Sequence, residues 1–529
     1  MDKSSALRVA TPQPDDLKFD DEVEKMSSIE RVQSTHTQEL IVALCGYIGT
    51  DIHSVSDTIK TILTDEYGYE CDIIRMSEFI EKNSDKMDVA PELEGKTTSE
   101  EYLRIKNLIH NGDRLRKLHG NSILAELAIA KIGAERTSEL GDKSITDMHF
   151  QSRRKCFIID SIKNPYELYV LKEVYRNLLY FIGIFSPDEM RKEFLKKKEM
   201  KEIEIVELIE QDTHEDFPHG QGVGDTFMQA DYFLRVDSLS IGQTRQKLHR
   251  VFHLVFGTEI ITPTDDETAM YFAASAATNS ACLSRQVGAA ITDQNGNLIS
   301  VGWNDVPCFG GNLYQHKSQD SLGENDNRCT NFFNGKCSND FHKDRISKKL
   351  IELLVMNGLV DKEKKSEAIA TIRSSELKGL IEYSRAIHAE MHAIIIGSQK
   401  AGDKMIKGKL FCTTYPCHNC ARHIVLAGII EVYYIQPYPK SLATELHSDS
   451  ITTDEAQSNK VKFLLYDGIA PSRYQQLFKM LPDSRKDRNG KKIKVDYKKV
   501  KPRYSETLQA LYTLESFAAR HVKKLDIVV

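Results

Sequence analysis

Short, almost wholly apolar runs alternate along the chain with longer stretches in which apolar positions recur every three or four residues, and this alternation predicts the elements. The first run, residues 40–45 in "ELIVALCGYIGT", reads as a buried strand, followed by a Gly-containing turn and an amphipathic helix in "DIHSVSDTIKTIL". Helical spacing continues through "SEEYLRIKNLIHNGDRLRKLHG" and "NSILAELAIAKIGAE". Buried strands follow in "KCFIID", with an acidic residue at its end and a helix after it, and in "LLYFIGIFS". Strands separated by helices predict a parallel sheet with helices on its faces.

The stretch "DTHEDFPHGQGVGDTFMQADYFLRVD" is dense in Asp, His and Gly; no spacing in it repeats a metal site, and a loop followed by a strand is expected. A helix in "SIGQTRQKLHRVFHLVFG" then leads to "PTDDETAMYFAASAATNSAC", where Pro, Thr and Asp signal a new helix, so a domain boundary is placed near 235–262. Beyond it, Val287 opens a hairpin that turns at "DQNGN" and returns through Val301. The helix "HAEMHAIIIGSQ", a strand and the helix "PCHNCARHIVLAG" complete a mixed sheet between helices. The expected organisation is a polar tail over 1–36, broken by Pro12 and Pro14, an α/β domain over 37–240, a second α/β domain over 250–480, and a basic segment with a terminal amphipathic helix over 481–529.

At 529 residues the chain exceeds one ordinary core. Its 40% hydrophobic and 28% charged content is that of a globular enzyme, and a net charge of −6 supplies no global attraction to nucleic acid. No run approaches eighteen apolar residues and the N-terminus has no apolar signal core, so a cytoplasmic protein is expected. In a reducing compartment, ten scattered cysteines argue for metal and core uses rather than disulfides.

The chemistry concentrates in residues 388–420, "HAEMHAIIIGSQKAGDKMIKGKLFCTTYPCHNC". His388, Cys417 and Cys420 offer one nitrogen and two sulfurs, the three ligands of a catalytic zinc site that keeps a fourth position open. Cys417 and Cys420 lie at i and i+3 at the start of a helix, whose positive end favours thiolates. Glu390, two residues past His388, projects from another side of its helix and is free for proton transfer. H-x-E followed by P-C-x-x-C is the signature of zinc nucleobase deaminases, which replace the amine at C4 of cytosine or C6 of adenine. His392 and His418 are read as bystanders, because a fourth protein ligand would close the site.

In the first domain, strand, Gly-containing turn and helix resemble a phosphate-binding loop, with Gly46, Gly49 and Thr50 as candidate nucleotide contacts. The standard motif counted from Gly46 requires Gly and Lys at 51 and 52, where this chain has Asp51 and Ile52, so phosphoryl transfer is not expected while nucleotide binding stays open. Asp160 stands at a strand end, where such proteins place an acid toward nucleotide or metal, and where an acid also simply caps a turn.

"SRQVGAAI", "GWNDVP", "HAEMHAI", "TTYPCHNCARHIVLAGI" and "YIQPY", in this order over about 260–440, resemble the deoxycytidylate deaminase branch of the cytidine deaminase superfamily. With the degenerate phosphate loop, "PKSLATELHSDSI" and "DGIAPSRYQQLF", the chain from about 36 onward is similar to two-domain bacterial dCTP/dCMP deaminases of anti-phage defence, the AvcD or DcdV type. The resemblance implies a P-loop NTPase-like α/β domain joined to a cytidine deaminase-like α/β/α sandwich. It implies zinc-dependent conversion of dCTP and dCMP to dUTP and dUMP, a regulatory nucleotide effector, a small inhibitory RNA and a homo-oligomer. By the same resemblance His388, Cys417 and Cys420 are zinc ligands and Glu390 the proton shuttle. Asn304 is then a substrate contact, although Asp305 follows it where the family has Gly, and Arg285 is a candidate for the substrate phosphate. Related deaminases sometimes hold a second zinc in the insertion that here carries Cys308, Cys329, Cys337 and His342. Alternatives are a deaminase of cytosine or adenine in polynucleotide, which predicts a groove lined with basic and aromatic residues, and a P-loop nucleotide kinase with a fused domain. The basic stretch "RKDRNGKKIKVDYKKVKPR" reads as a solvated hairpin turning at "RNGKK" or as a site for RNA or polyphosphate.

Overall fold

A computed structural model of the chain describes residues 27–84, 98–140, 152–214, 220–237, 241–316, 326–438, 440–480, 485–525 and 527–529. Residues 1–26 of the expected tail lie outside these. Residues 28–34 are a correction to it: Ser28–Ser34 is a helix, because Ser27 and Glu30 form a reciprocal capping box, each side chain accepting from the other's backbone N–H. The chain divides into two compact units. The first holds residues 1–229, 235–260 and 482–529; the second holds residues 230–234 and 261–481.

In the first unit β1 (Leu40–Gly46), β2 (Glu70–Arg75), β3 (Lys155–Asp160) and β4 (Leu179–Phe185) lie parallel in the order β2-β3-β1-β4. Every residue of β1, β3 and β4 is buried, as their continuous apolar runs require of strands covered on both faces. Asp51 caps the Ile52–Asp65 helix by accepting from Ser54 N–H. Helices Glu100–His119, Ile123–Leu140 and Pro165–Tyr175 match the predicted periodic stretches, and Asn164 with Glu167 forms a second capping box. The terminal helix Leu508–Val522 packs on Ile123–Leu140. The basic stretch before it does turn at Gly490, and its Tyr497 stacks on Tyr67 of the same unit with ring centroids 5.5 Å apart.

Within residues 212–237, a short helix Val223–Phe227 precedes strand β5 (Tyr232–Arg235). In the second unit β6 (Gly288–Thr292) and β7 (Leu298–Trp303) form the predicted hairpin. Strand β8 (Lys409–Thr414) pairs antiparallel with β6 and parallel with β9 (Glu431–Gln436). Parallel strands β10 (Ile451–Thr452) and β11 (Val461–Leu465) extend the sheet, whose order is β10-β11-β9-β8-β6-β7. Strand β12 (Gly468–Ile469) stands outside it and pairs antiparallel with Phe233 and Tyr232.

Helix Asp265–Ala277, capped by a Thr264–Glu267 box, packs on β6, β7 and β8, and helix Ala389–Met405 packs on β7 and β6. The second contact is close enough to demand glycine: a Cβ at Gly302 would lie 2.4 Å from both Ala389 O and Ala393 N. Gly302→Ala must therefore push back the helix that follows His388. An overpacking cost of about 1–3 kcal/mol is expected, with a parallel fall in deaminase activity, checked by thermal denaturation and turnover on the same preparation.

Candidate active site

Two helix starts meet at the site. His388 is the N-cap of Ala389–Met405 and Cys417 the N-cap of His418–Leu426, with Cys420 in the first turn of the latter. Residues 415–417 leave β8 in a fixed path, since Tyr415 N–H donates to Gln436 O at 2.7 Å and the Ser441 hydroxyl donates to Pro416 O at 2.8 Å. On the other side Ile387 N–H donates to Asp305 O at 2.9 Å. Asp305 is itself buried, and its carboxylate accepts from Ala281 N–H at 3.0 Å and Val306 N–H at 2.8 Å. Asp305 thus anchors the backbone next to His388.

His388 Nδ1 lies 3.2 Å from Cys417 Sγ and 3.4 Å from Cys420 Sγ. All three donor atoms fall within 4.8 Å of one another, the only such group of His, Cys, Asp or Glu among the described residues. Zinc–sulfur and zinc–nitrogen bonds of about 2.3 and 2.05 Å at tetrahedral angles imply a nitrogen–sulfur separation of about 3.6 Å, so the donor set fits the metal. The Cys417 thiol is drawn down to about 4, first by the hydrogen bond from Cys420 and then by His388, while Cys420, as its donor, is pushed well up. His388 is raised to about 9 by the adjacent Cys417 sulfur. The neighbouring Cys420 and His388 thus favour the thiolate form of Cys417, the form that binds metal.

Glu390 is 3% exposed and outside the donor trio. Burial raises its pKa, opposed by His388, which suits a carboxyl that both takes and returns a proton. His392, on the same helix, is engaged elsewhere: Nδ1 accepts from Trp303 N–H at 3.2 Å, so the proton sits on Nε2, 3.1 Å from Asn312 Oδ1.

Both ends of the Asn304 amide face the chain, Oδ1 accepting from Val287 N–H at 2.8 Å and Nδ2 donating to Arg285 O at 2.9 Å. The exposed Arg285 guanidinium sits 5.6 Å from the centre of the Tyr438 ring, and Tyr438 in turn feels the charge of Cys417. Tyr438 was not singled out by itself in the sequence, although it is the last residue of the quoted "YIQPY" stretch.

Cys308, Cys329, Cys337 and His342 are not brought together as one ligand set among the described residues. Cys308 Sγ faces Gly311 O in its own turn at 3.1 Å, and the His342 ring stacks on Tyr383. The Cys329 thiol is raised by burial and then by Cys282 and Cys337, which makes Cys282 a neighbour that the sequence spacing did not suggest.

In the first unit Gly46 ends β1, Gly49 has φ +85° and Thr50 is buried with a hydroxyl that has no hydrogen-bond partner among the described residues. Asp160 ends β3 and holds His53 Nδ1 at 2.6 Å, a contact that raises the His53 pKa. His53 comes from the helix after the loop and was not a sequence candidate.

Among the described residues, no helix is long and apolar enough to cross a membrane. Residues 263–436 match the family described as the cytidine and deoxycytidylate deaminase zinc-binding region. Over 176 residues the chain is 25% identical to the deoxycytidylate deaminase of Enterobacteria phage T4, spanning 33% of this chain and 79% of that protein. It is 44% identical over 55 residues to ComE operon protein 2 of Bacillus subtilis (strain 168), spanning 10% of this chain and 29% of that protein. The structure of the cyanophage S-TIM5 dCMP deaminase with dCMP and dUMP is 18% identical, spanning 39% of this chain and 99% of that one, with a TM-score of 0.23, too remote a likeness to bear on the chemistry. A histidine and two cysteines spaced for one metal ion, inside a region that matches the zinc-binding region of cytidine and deoxycytidylate deaminases, make the chain a zinc-dependent deaminase.

Proposed function

We propose that the chain deaminates free deoxycytidine nucleotides, dCMP and dCTP, to dUMP and dUTP, and that the resulting loss of dCTP serves anti-phage defence. The observation that carries the substrate class is Arg285 over Tyr438, an exposed cation and an aromatic face beside the Cys417 edge of the donor trio. Such a pair suits the phosphate and sugar of one nucleotide. The relatives from phages T4 and T2 are deoxycytidylate deaminases by name, in keeping with this reading.

His388, Cys417 and Cys420 hold the zinc, which when bound supplies Lewis acidity toward water. Glu390 takes a proton from the attacking water and delivers protons to pyrimidine N3 and to the departing amine. Asn304 acts by fixing the backbone of residues 285–287 and so the approach of Arg285. Arg285→Ala is expected to raise KM for dCMP about 10–100-fold with a smaller change in kcat, because a hydrogen bond to a charged group contributes about 1.5–3 kcal/mol. Steady-state kinetics on both nucleotides test it, and an unchanged KM removes Arg285 from phosphate binding.

The first unit we read as a nucleotide-binding regulatory domain of P-loop type, with Gly46, Gly49, Thr50 and Asp160 at the C-terminal ends of neighbouring parallel strands, where open α/β sheets bind ligands. A homo-oligomer, and a small inhibitory RNA on the basic stretch before the last helix, complete the proposal. Triple replacement of Lys491, Lys492 and Lys494 by Glu is expected to weaken RNA binding at low salt, and equal affinity discards that partner.

The deciding assay incubates zinc-loaded protein with dCMP, dCTP and a cytosine-containing single-stranded oligonucleotide and reads uracil formation. Conversion of the free nucleotides is expected; conversion of the oligonucleotide alone replaces this reading with a polynucleotide deaminase.

A further inference from the structure

The loop between β1 and the Ile52–Asp65 helix already holds an anion, and that anion belongs to the protein. Ile48 N–H donates to Asp212 Oδ2 at 2.6 Å, and Arg191 Nη2 reaches the same oxygen at 3.3 Å. Lys163 Nζ stands 4.0 Å from the other carboxylate oxygen. Both cations also grip the loop, Lys163 donating to Gly46 O and Arg191 Nε to Ile48 O, each at 2.8 Å. Gly49 makes this approach feasible, since a Cβ there would lie 2.9 Å from Arg191 O. The remaining Arg191 nitrogen, Nη1, meets the exposed Asp188 at 3.1 Å.

A backbone N–H on a Gly-containing turn, entering a helix and flanked by two cations, is a donor set for a phosphate oxyanion. Lys163 and Arg191 supply the positive charge that a lysine at 52 would otherwise bring. The Asp212 side chain is fully buried here, yet its Oδ1 has no hydrogen-bond partner among the described residues, and neither has the nearby Thr50 hydroxyl. One carboxylate thus leaves donors and acceptors at the loop incompletely matched, a costly state for buried polar groups. Two anions cannot share the cradle cheaply, so an incoming phosphate must drive the carboxylate out.

We infer that Asp212 is a resident competitor in a phosphate-binding cradle, and that a nucleotide's phosphate chain binds by displacing it from Ile48 N–H, Arg191 and Lys163. This rests on the nucleotide-binding reading of the loop proposed above. Displacement loosens the C-terminal end of helix Glu202–His214, which carries Asp212, and makes that helix the element that reports occupancy.

The test titrates tripolyphosphate, and separately ATP, into the full-length zinc-loaded protein and its Asp212→Asn variant by calorimetry. Hydrogen exchange is followed on the wild type with and without saturating ligand. Asp212→Asn is expected to bind tripolyphosphate at least about tenfold tighter, the equivalent of 1.4 kcal/mol. In the wild type, exchange in residues 202–214 is expected to rise on binding while the loop amides become protected. Equal or weaker binding by the variant, or unchanged exchange in residues 202–214 of the liganded wild type, makes Asp212 a fixed structural partner and overturns the inference while leaving the nucleotide site intact. Should the variant fail to fold, the wild-type exchange decides alone. Absence of binding to either probe in both proteins removes the nucleotide site and the inference with it.

Discussion

Glu390→Gln is expected to keep its zinc and lose deaminase turnover by at least about 10²–10⁴-fold. Proton transfer by a positioned side chain contributes that much for a single transfer, and here one carboxyl serves both the water and the leaving amine. Glutamine preserves volume and hydrogen bonding, so the buried position stays filled and the donor trio, of which Glu390 is no member, stays assembled. Metal content by atomic emission should match the wild type, which separates loss of proton transfer from loss of metal. Full turnover by a zinc-replete Glu390→Gln protein would falsify the assigned role. Cells carrying this variant should also lose any phage protection that the wild type confers.

The second large effect lies in the first unit, where Arg136 is clasped by two buried acids. Its Nε and Nη2 donate to Glu515 at 2.9 and 3.1 Å, and its Nη1 donates to Glu39 at 2.7 Å. None of the three residues is more than 4% exposed. Arg153 adds a second cation at Glu39, 3.1 Å away. Burial pushes the Glu515 carboxyl up and Arg136 pulls it back, the balance expected of a charge that only its partner keeps in place. Glu515→Ala leaves Arg136 half-paired in a site without water to replace the lost oxygens, so a destabilisation of about 3–5 kcal/mol is expected. For a unit of this size that corresponds to a melting temperature lower by about 5–8 °C, read by calorimetry as the transition of the first unit. Arg136→Met, Glu39→Gln and Glu515→Leu together should recover much of the loss, because the three buried charges then leave together and Arg153 keeps Glu135 as its partner. A melting temperature within a degree of wild type for Glu515→Ala would show that the ion pair contributes nothing.

The parts of the fold that were legible in the sequence are those with local causes. Residues 40–45, 155–160 and 178–186 read as buried strands because most side chains in them are apolar, which a strand covered on both faces can use, and the structure places strands at Leu40–Gly46, Lys155–Asp160 and Leu179–Phe185. The β6–β7 hairpin was legible from its Asn-Gly turn, and the zinc trio because ligand spacing at two helix starts is itself a local pattern. The helix at Ser28–Ser34 was missed although its signal, Ser27 followed three residues later by Glu30, was present; the polar composition around it outweighed the cap.

Sequence by itself determined the apolar strands of both sheets and the spacing of His388, Cys417 and Cys420, which the fold brings within reach of one metal ion. Tertiary structure alone decided that Asp305 braces the backbone beside His388, that Arg285 lies over Tyr438, that Glu515 closes on Arg136 379 residues earlier, and that Lys163, Arg191 and Asp212 converge on one loop. The physical reason is that periodicity and capping act over a few residues, whereas these contacts close chain loops of up to hundreds of residues. The cost of such closure grows only logarithmically with length, so nothing local in the sequence marks which distant partners will meet.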